Sequence, residues 1–194
     1  MTPGFNLANR LTLSRLALGP LFLVAYLSNW SFPVEGAFIT ALLIEATDVA
    51  DGIAARSRKQ VSDVGKLLDP MSDTISRLSY YIGFLVMGFA SAWMVALLVY
   101  RDVVIAYLRV FTALTGTAMG RRTSGKWKGI LQGATALTIL ALQIVHTRIV
   151  YVPYFFQIVY ALLVFITAYT AFTLFEYLRG NKELLLEIRR RGRG

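Results

Sequence analysis

The chain has 194 residues, 56% of them hydrophobic and only 16% charged, with a mean hydropathy of +0.58, which excludes an ordinary soluble domain and indicates an integral membrane protein. It has no cysteine and a single histidine, His146, so a disulfide framework, thiolate chemistry and a structural zinc finger are excluded. The net charge of +9 is no signature of a nucleic-acid partner, because the basic residues gather at the ends of apolar runs instead of forming one soluble face.

In chain order, the first apolar run spans Leu11 to Leu27. Met1 to Asn9 lack a basic leader and no small-residue cleavage site follows, so the run reads as a retained helix. At its start Asn9, Thr12 and Arg15 recur every three residues. They are candidates for supporting a ligand site, against an N-cap role for Asn9 and a topogenic role for Arg15. The second run, Val34 to Ala55, ends on Asp48 and Asp51; the third, Leu67 to Ala90, begins with Asp69 and Asp73. The fourth, Trp93 to Leu114, is interrupted by Arg101, Asp102 and Arg109, the fifth covers Ile130 to Val145, and the sixth Tyr154 to Leu178. Most are long enough for about 30 Å of hydrocarbon, the fifth only marginally.

Basic residues fill alternate connections: Arg56, Arg58, Lys59 and Lys66 between the second and third runs, Arg121, Arg122, Lys126 and Lys128 between the fourth and fifth. The other loops hold only Arg148. The positive-inside rule then puts both termini in the cytoplasm. The expected fold is all-α and integral to the cytoplasmic (inner) membrane: six transmembrane helices in one bundle over residues 1–180, with a polar cavity facing the cytoplasm. Residues 181–194 form a basic cytoplasmic tail suited to anionic headgroups. Tyr80, Tyr81, Trp93, Tyr100, Trp127 and Tyr151 near the predicted ends read as an aromatic belt.

The four aspartates carry the chemistry. Asp48 and Asp51 are three residues apart and Asp69 and Asp73 four, so each pair shares a helix face, and the two faces can converge at one depth. Carboxylates at bilayer depth are costly unless paired or in a wet cavity, and four of one sign require a cation. An all-oxygen ligand set favours Mg²⁺ or Mn²⁺ over zinc or copper. Gly52 and Gly65 let backbone approach a bulky ligand, and Ala55 keeps that face small. Asp63 fits no such spacing and reads as a loop carboxylate. Arg77, Arg101 and Arg109 suit phosphate through their planar forks; the competing reading is an intramembrane ion pair of Arg77 or Arg101 with Glu45 or Asp102.

The string Asp48-x-x-Asp51-Gly52-x-x-Ala55-Arg56, eight residues, Gly65, three residues, Asp69, three residues, Asp73 resembles the signature of the CDP-alcohol phosphotransferases at every defined position. Members displace CMP from a CDP-linked donor with the hydroxyl of a second alcohol. The resemblance implies Asp48, Asp51, Asp69 and Asp73 as metal ligands, for two ions, and Asp73 as general base. It implies Asp48, Gly52, Ala55, Arg56 and Gly65 as the donor pocket, CDP-diacylglycerol as donor, and a homodimer.

The Asn6 to Arg15 opening, Leu68 to Asp73, Arg101 to Ile105 with Arg109, and Gly125 to Lys128 with Gln132 look most like the bacterial branch of the family that uses glycerol 3-phosphate. Arg101, Arg109, Lys126 and Lys128 then become candidates for the acceptor's phosphate. Ser72-Asp73-Thr74 stands where relatives commonly have Ala-Asp-Lys, and Gly129 where Thr is usual. An inositol-phosphate acceptor is the nearest alternative and serine a more distant one. A cation channel would need polar residues at intervals through the bilayer, whereas the four acids gather at one end. A non-catalytic lipid-binding scaffold has no need of two acid pairs.

Overall fold

A computed structural model describes residues 7–58, 63–115 and 124–182; of residues 7–11, 51–58, 63–67, 69, 113 and 115 it describes the backbone alone. Among the described residues there are six α-helices and no strand: α1 Leu7–Leu27, α2 Pro33–Arg58, α3 Asp63–Val86, α4 Ala92–Thr115, α5 Ser124–Ile144 and α6 Phe155–Gly180. A single π-helical turn, Val145–Ile149, extends α5. The segments Ser124–Ile149 and Phe155–Gly180 are long and apolar enough to cross a membrane. At 21 to 26 residues, α1 to α4 reach comparable lengths of about 32–39 Å at a rise of 1.5 Å per residue, but α2 to α4 carry the ionisable groups described below.

Several helix limits differ from the sequence expectation by three to six residues, and two of them have a local reason. α3 ends at Val86, not Ala90, because Gly88 adopts φ +79° and closes the helix. Phe89 N–H donates to Phe84 O at 2.8 Å and Gly88 N–H to Leu85 O at 3.0 Å, the paired bonds of a glycine-terminated helix end. α5 begins at Ser124, six residues before the apolar run, so Lys126 and Lys128 are helical. Apolar periodicity could not show this, because the first turns of α5 border a polar cavity.

α1 packs most extensively on α2 and α3, while α5 contacts α2 and α6, and α6 also contacts α4. Small residues set the α1–α3 approach: a Cβ on Gly83 would stand 2.8 Å from Tyr26 Cδ1, and one on Gly19 3.3 Å from Ser76 Cα. The core they enclose is aromatic, with Phe22, Tyr26, Tyr80, Tyr81 and Phe84 all buried. Phe22 and Tyr80 meet edge to face at 5.0 Å, and Tyr26 and Phe84 at 5.9 Å. Buried hydroxyls have acceptors: Tyr26 donates to Gln143 Oε1 at 2.7 Å and Tyr81 to Gln132 O at 3.3 Å. Tyr80 and Tyr81 are therefore core residues, correcting the belt expectation, while Trp93, Tyr100, Trp127 and Tyr151 are exposed. The outer surfaces of α1, α2, α4 and α6 present Leu21, Val24, Ile39, Leu43, Tyr107, Phe165 and Phe172.

Arg148 ties the π-helical turn to the α1–α2 connection. Its Nε donates to Glu35 Oε1 at 2.7 Å, Nη2 bonds Ser31 O, and the guanidinium lies 4.9 Å from the centroid of Phe32.

Candidate active site

Near the C-terminal part of α2 and the N-terminal part of α3, Asp48 and Asp73 converge on one guanidinium. Arg15 of α1, 1% exposed, donates from Nη1 to Asp48 Oδ1 at 2.5 Å and also to Asp73 Oδ1. This meeting of residues 33 and 58 positions apart follows from the tight α1–α2 and α1–α3 packing. Thr12, one turn before Arg15, is buried beside it on the same helix face. The side chains of Asn9, Asp51, Gly52, Ala55, Arg56, Gly65 and Asp69 lie outside the described residues. Among described side chains no group of three potential metal ligands occurs. Asp48 and Asp73 nevertheless form an all-oxygen pair from two helices already closed around a positive charge, which is the donor chemistry a hard divalent cation requires.

A cavity of about 400 Å³ opens beside this pair, lined by Asp48, Val49, Pro70, Asp73, Thr74, Arg77, Arg101, Asp102, Arg109, Gly125, Lys126, Lys128, Gly129 and Ile130. Two of the four aspartates and all four candidate phosphate-binding cations thus share one space. Three carboxylates face five basic groups there, an excess of positive charge that favours an anionic ligand.

The cations divide into two kinds. Asp102 receives Lys128 Nζ on both oxygens, at 2.7 and 2.9 Å, and Arg101 Nη1 on Oδ1 at 2.8 Å. The ion-pair reading therefore holds for Arg101, and Lys128 is engaged in the same cluster. Arg109 and Lys126 line the cavity with no ion-pair partner among the described residues. Arg77 pairs with neither Glu45 nor Asp102 but makes a long 3.5 Å contact to Asp48 Oδ2; Glu45 instead accepts from Tyr80 at 3.3 Å. Thr74 and Gly129, where the sequence departs from the family's usual residues, both line the cavity. Arg101 with Asp102 is among the sequence readings, but that Lys128 joins them had no sequence signal, since it lies 26 residues from Asp102.

An all-helical architecture with a cation-rich cavity beside paired aspartates suits a protein that handles anionic, phosphate-bearing ligands, and comparison with known proteins gives its family. Residues 5–175 match the CDP-alcohol phosphatidyltransferase model, and the chain belongs to that family. It is 33% identical over 136 residues to a CDP-diacylglycerol–glycerol-3-phosphate 3-phosphatidyltransferase of Bacillus subtilis, covering 64% of this chain and 70% of the relative. Proteins of the same name from Rickettsia bellii and Pseudomonas fluorescens are 29% and 28% identical, covering 88% and 93% of this chain and 94% and 97% of the relatives.

Proposed function

We propose that this chain is a phosphatidylglycerophosphate synthase, transferring the phosphatidyl group of CDP-diacylglycerol to the hydroxyl of glycerol 3-phosphate with release of CMP. The observation that carries the reading is the single cavity joining Asp48 and Asp73 to a surplus of basic side chains. It can hold an anionic acceptor against the acids that serve the donor. The names of the relatives favour glycerol 3-phosphate over inositol phosphate as acceptor.

Asp48, Asp51, Asp69 and Asp73 would hold Mg²⁺ or Mn²⁺, as two ions; when bound, the metal neutralises pyrophosphate oxygens and makes CMP a better leaving group. Arg15 draws the carboxylates of α2 and α3 together and limits their mutual repulsion. Arg109 and Lys126 bind the acceptor phosphate, with Arg101 and Lys128 fixed behind them by Asp102. Asp73 accepts the proton of the acceptor hydroxyl as its oxygen bonds to the phosphorus of the phosphatidyl group. The P–O bond to CMP breaks, and CMP departs with the electron pair. Gly52, Ala55, Arg56 and Gly65 shape the donor pocket, and Asn9 and Thr12 support the site from α1.

The same reading treats all six helices as spans of the cytoplasmic membrane, both termini and the cavity mouth facing the cytoplasm, supported by the alternation of basic connections. The donor's acyl chains then stay in lipid beside the exposed apolar faces. The 181–194 tail lies on the membrane surface, and the functional unit is a homodimer. A conduction path is disfavoured because Tyr80, Tyr81, Phe84, Phe22 and Leu140 fill the core of the bundle, each at most 2% exposed.

The test is CMP release from CDP-diacylglycerol by purified protein with Mg²⁺, offering glycerol 3-phosphate, inositol 3-phosphate, inositol and serine in parallel. Release with glycerol 3-phosphate is expected. Release only with inositol phosphate would reassign the acceptor, and none with any alcohol would remove the enzyme reading.

A further inference from the structure

Glycines recur every four residues along one face of α5, at Gly125, Gly129 and Gly133, and each faces a charged side chain from a different helix. A Cβ on Gly125 would stand 3.5 Å from Arg101 Nη2, and one on Gly133 would fall within 2.5 Å of Glu45 Cδ. At Gly129 the neighbour is Arg77: an added Cβ would lie 2.8 Å from Nη1 and 3.3 Å from Cζ. The Arg77 guanidinium therefore lies against bare α5 backbone, in the space a side chain at 129 would take.

What this seat leaves undone is hydrogen bonding. Arg77 carries five N–H donors, yet its one hydrogen bond among the described residues is the 3.5 Å contact from Nη2 to Asp48 Oδ2. Its Nε is buried without a partner, and its side chain is only 13% exposed. Buried donors are nearly always satisfied, and one that is not calls for a ligand or a strain. Arg101 also has a buried Nε without a partner, but its Nη1 is held by a 2.8 Å bond to Asp102, whereas Arg77 has only the long contact to Asp48. Arg77 also lines the main cavity and, with Thr74 and Asp102, a smaller adjoining pocket of about 120 Å³ between α3 and α4, so it stands where the two spaces meet.

We propose that Arg77, seated on Gly129, is a specificity-determining residue of the acceptor site, donating to the phosphate of the incoming alcohol in the cavity it shares with Arg109 and Lys126. The inference deepens the synthase reading and rests on it for the identity of the acceptor. A planar fork with unspent donors matches phosphate in a way an ammonium does not, so Lys at 77 recovers charge without the paired bonds.

The experiment measures equilibrium binding of glycerol 3-phosphate to purified protein by calorimetry, alongside CMP release, for wild type, Arg77→Met, Arg77→Lys and Gly129→Ala. Loss of charge-assisted bonds predicts glycerol 3-phosphate affinity and acceptor KM weakened about ten- to hundredfold in Arg77→Met, with any change in donor KM, carried through Asp48, smaller than that. Arg77→Lys falls between, and Gly129→Ala weakens acceptor binding by displacing the guanidinium. Unchanged acceptor affinity in Arg77→Met, or in Arg77→Lys and Gly129→Ala should the first variant not fold, overturns the proposal and leaves Arg77 a structural partner of Asp48. Binding by wild type without CMP release would instead count against the transferase reading and leave the Arg77 assignment standing.

Discussion

Replacing Asp102 with Asn removes the one carboxylate that holds two buried cations. In the native protein Asp102 receives bonds of 2.7, 2.9 and 2.8 Å from Lys128 and Arg101, and the side chains are 15%, 6% and 10% exposed respectively. Charge-assisted bonds contribute about 1.5–3 kcal/mol each, which sets an upper bound of about 9 kcal/mol for losing all of them. Asn still offers one carbonyl oxygen, so the loss falls toward the roughly 3–5 kcal/mol typical of a buried ion pair with one member removed. At about 2–4 °C per kcal/mol for a chain of this length, the melting temperature should drop by roughly 6–20 °C. The assay is thermal unfolding in detergent, followed by loss of the monodisperse peak. A second substitution supplies the control: with Lys128→Met added, one fewer cation is stranded, so the double variant should melt above Asp102→Asn alone. A shift within about 2 °C for Asp102→Asn, or a double variant that simply adds the two losses, would refute the reasoning.

The fold was legible where apolar length and glycine chemistry speak locally. Each of the six apolar runs corresponds to one helix, because runs of 16 to 25 residues between polar connections admit little else. Two of the misplaced limits share a cause: hydropathy continues past Gly88 although the backbone turns there, and stops before Gly129 although the helix does not. Within the site, spacing along one helix was readable, so Asp48 and Arg15 could be nominated. Which partner each charge takes was not, because that depends on how α1, α4 and α5 approach one another. Lys128 illustrates the point: its sequence neighbourhood is basic and polar, but its contact is Asp102 on another helix. Tyr80 and Tyr81 were misread because an aromatic near a run's midpoint and one at its rim look alike until the helix is packed.

Gly83→Ala should cost about 1–3 kcal/mol in the same melting assay, since its Cβ would meet the Tyr26 ring at 2.8 Å and Phe22 at 3.2 Å, with Phe84 packed behind Tyr26; a neutral substitution would mean the α1–α3 contact is loose. Tyr26→Phe leaves Gln143 Oε1 without its 2.7 Å donor and should cost about 1–3 kcal/mol, with recovery on adding Gln143→Leu. Arg148→Met removes the Ser31 O bond and the Phe32 contact along with a more exposed pair with Glu35; the ion pair's share should be under about 1 kcal/mol and is the part that fades in high salt. Asp73→Asn separates chemistry from architecture. Asn keeps the size of the side chain and one oxygen toward Arg15, and Arg15 retains its 2.5 Å bond to Asp48, so the bundle should stay assembled. What Asn lacks is basicity toward the acceptor hydroxyl and a full charge toward the metal, and loss of a positioned general base alone lowers turnover by about 10²–10⁴-fold. CMP release should therefore collapse while glycerol 3-phosphate binding and the melting temperature stay near wild type. Turnover within about tenfold of wild type would show that the proton leaves by another route, and the assignment of Asp73 as base would have to be given up.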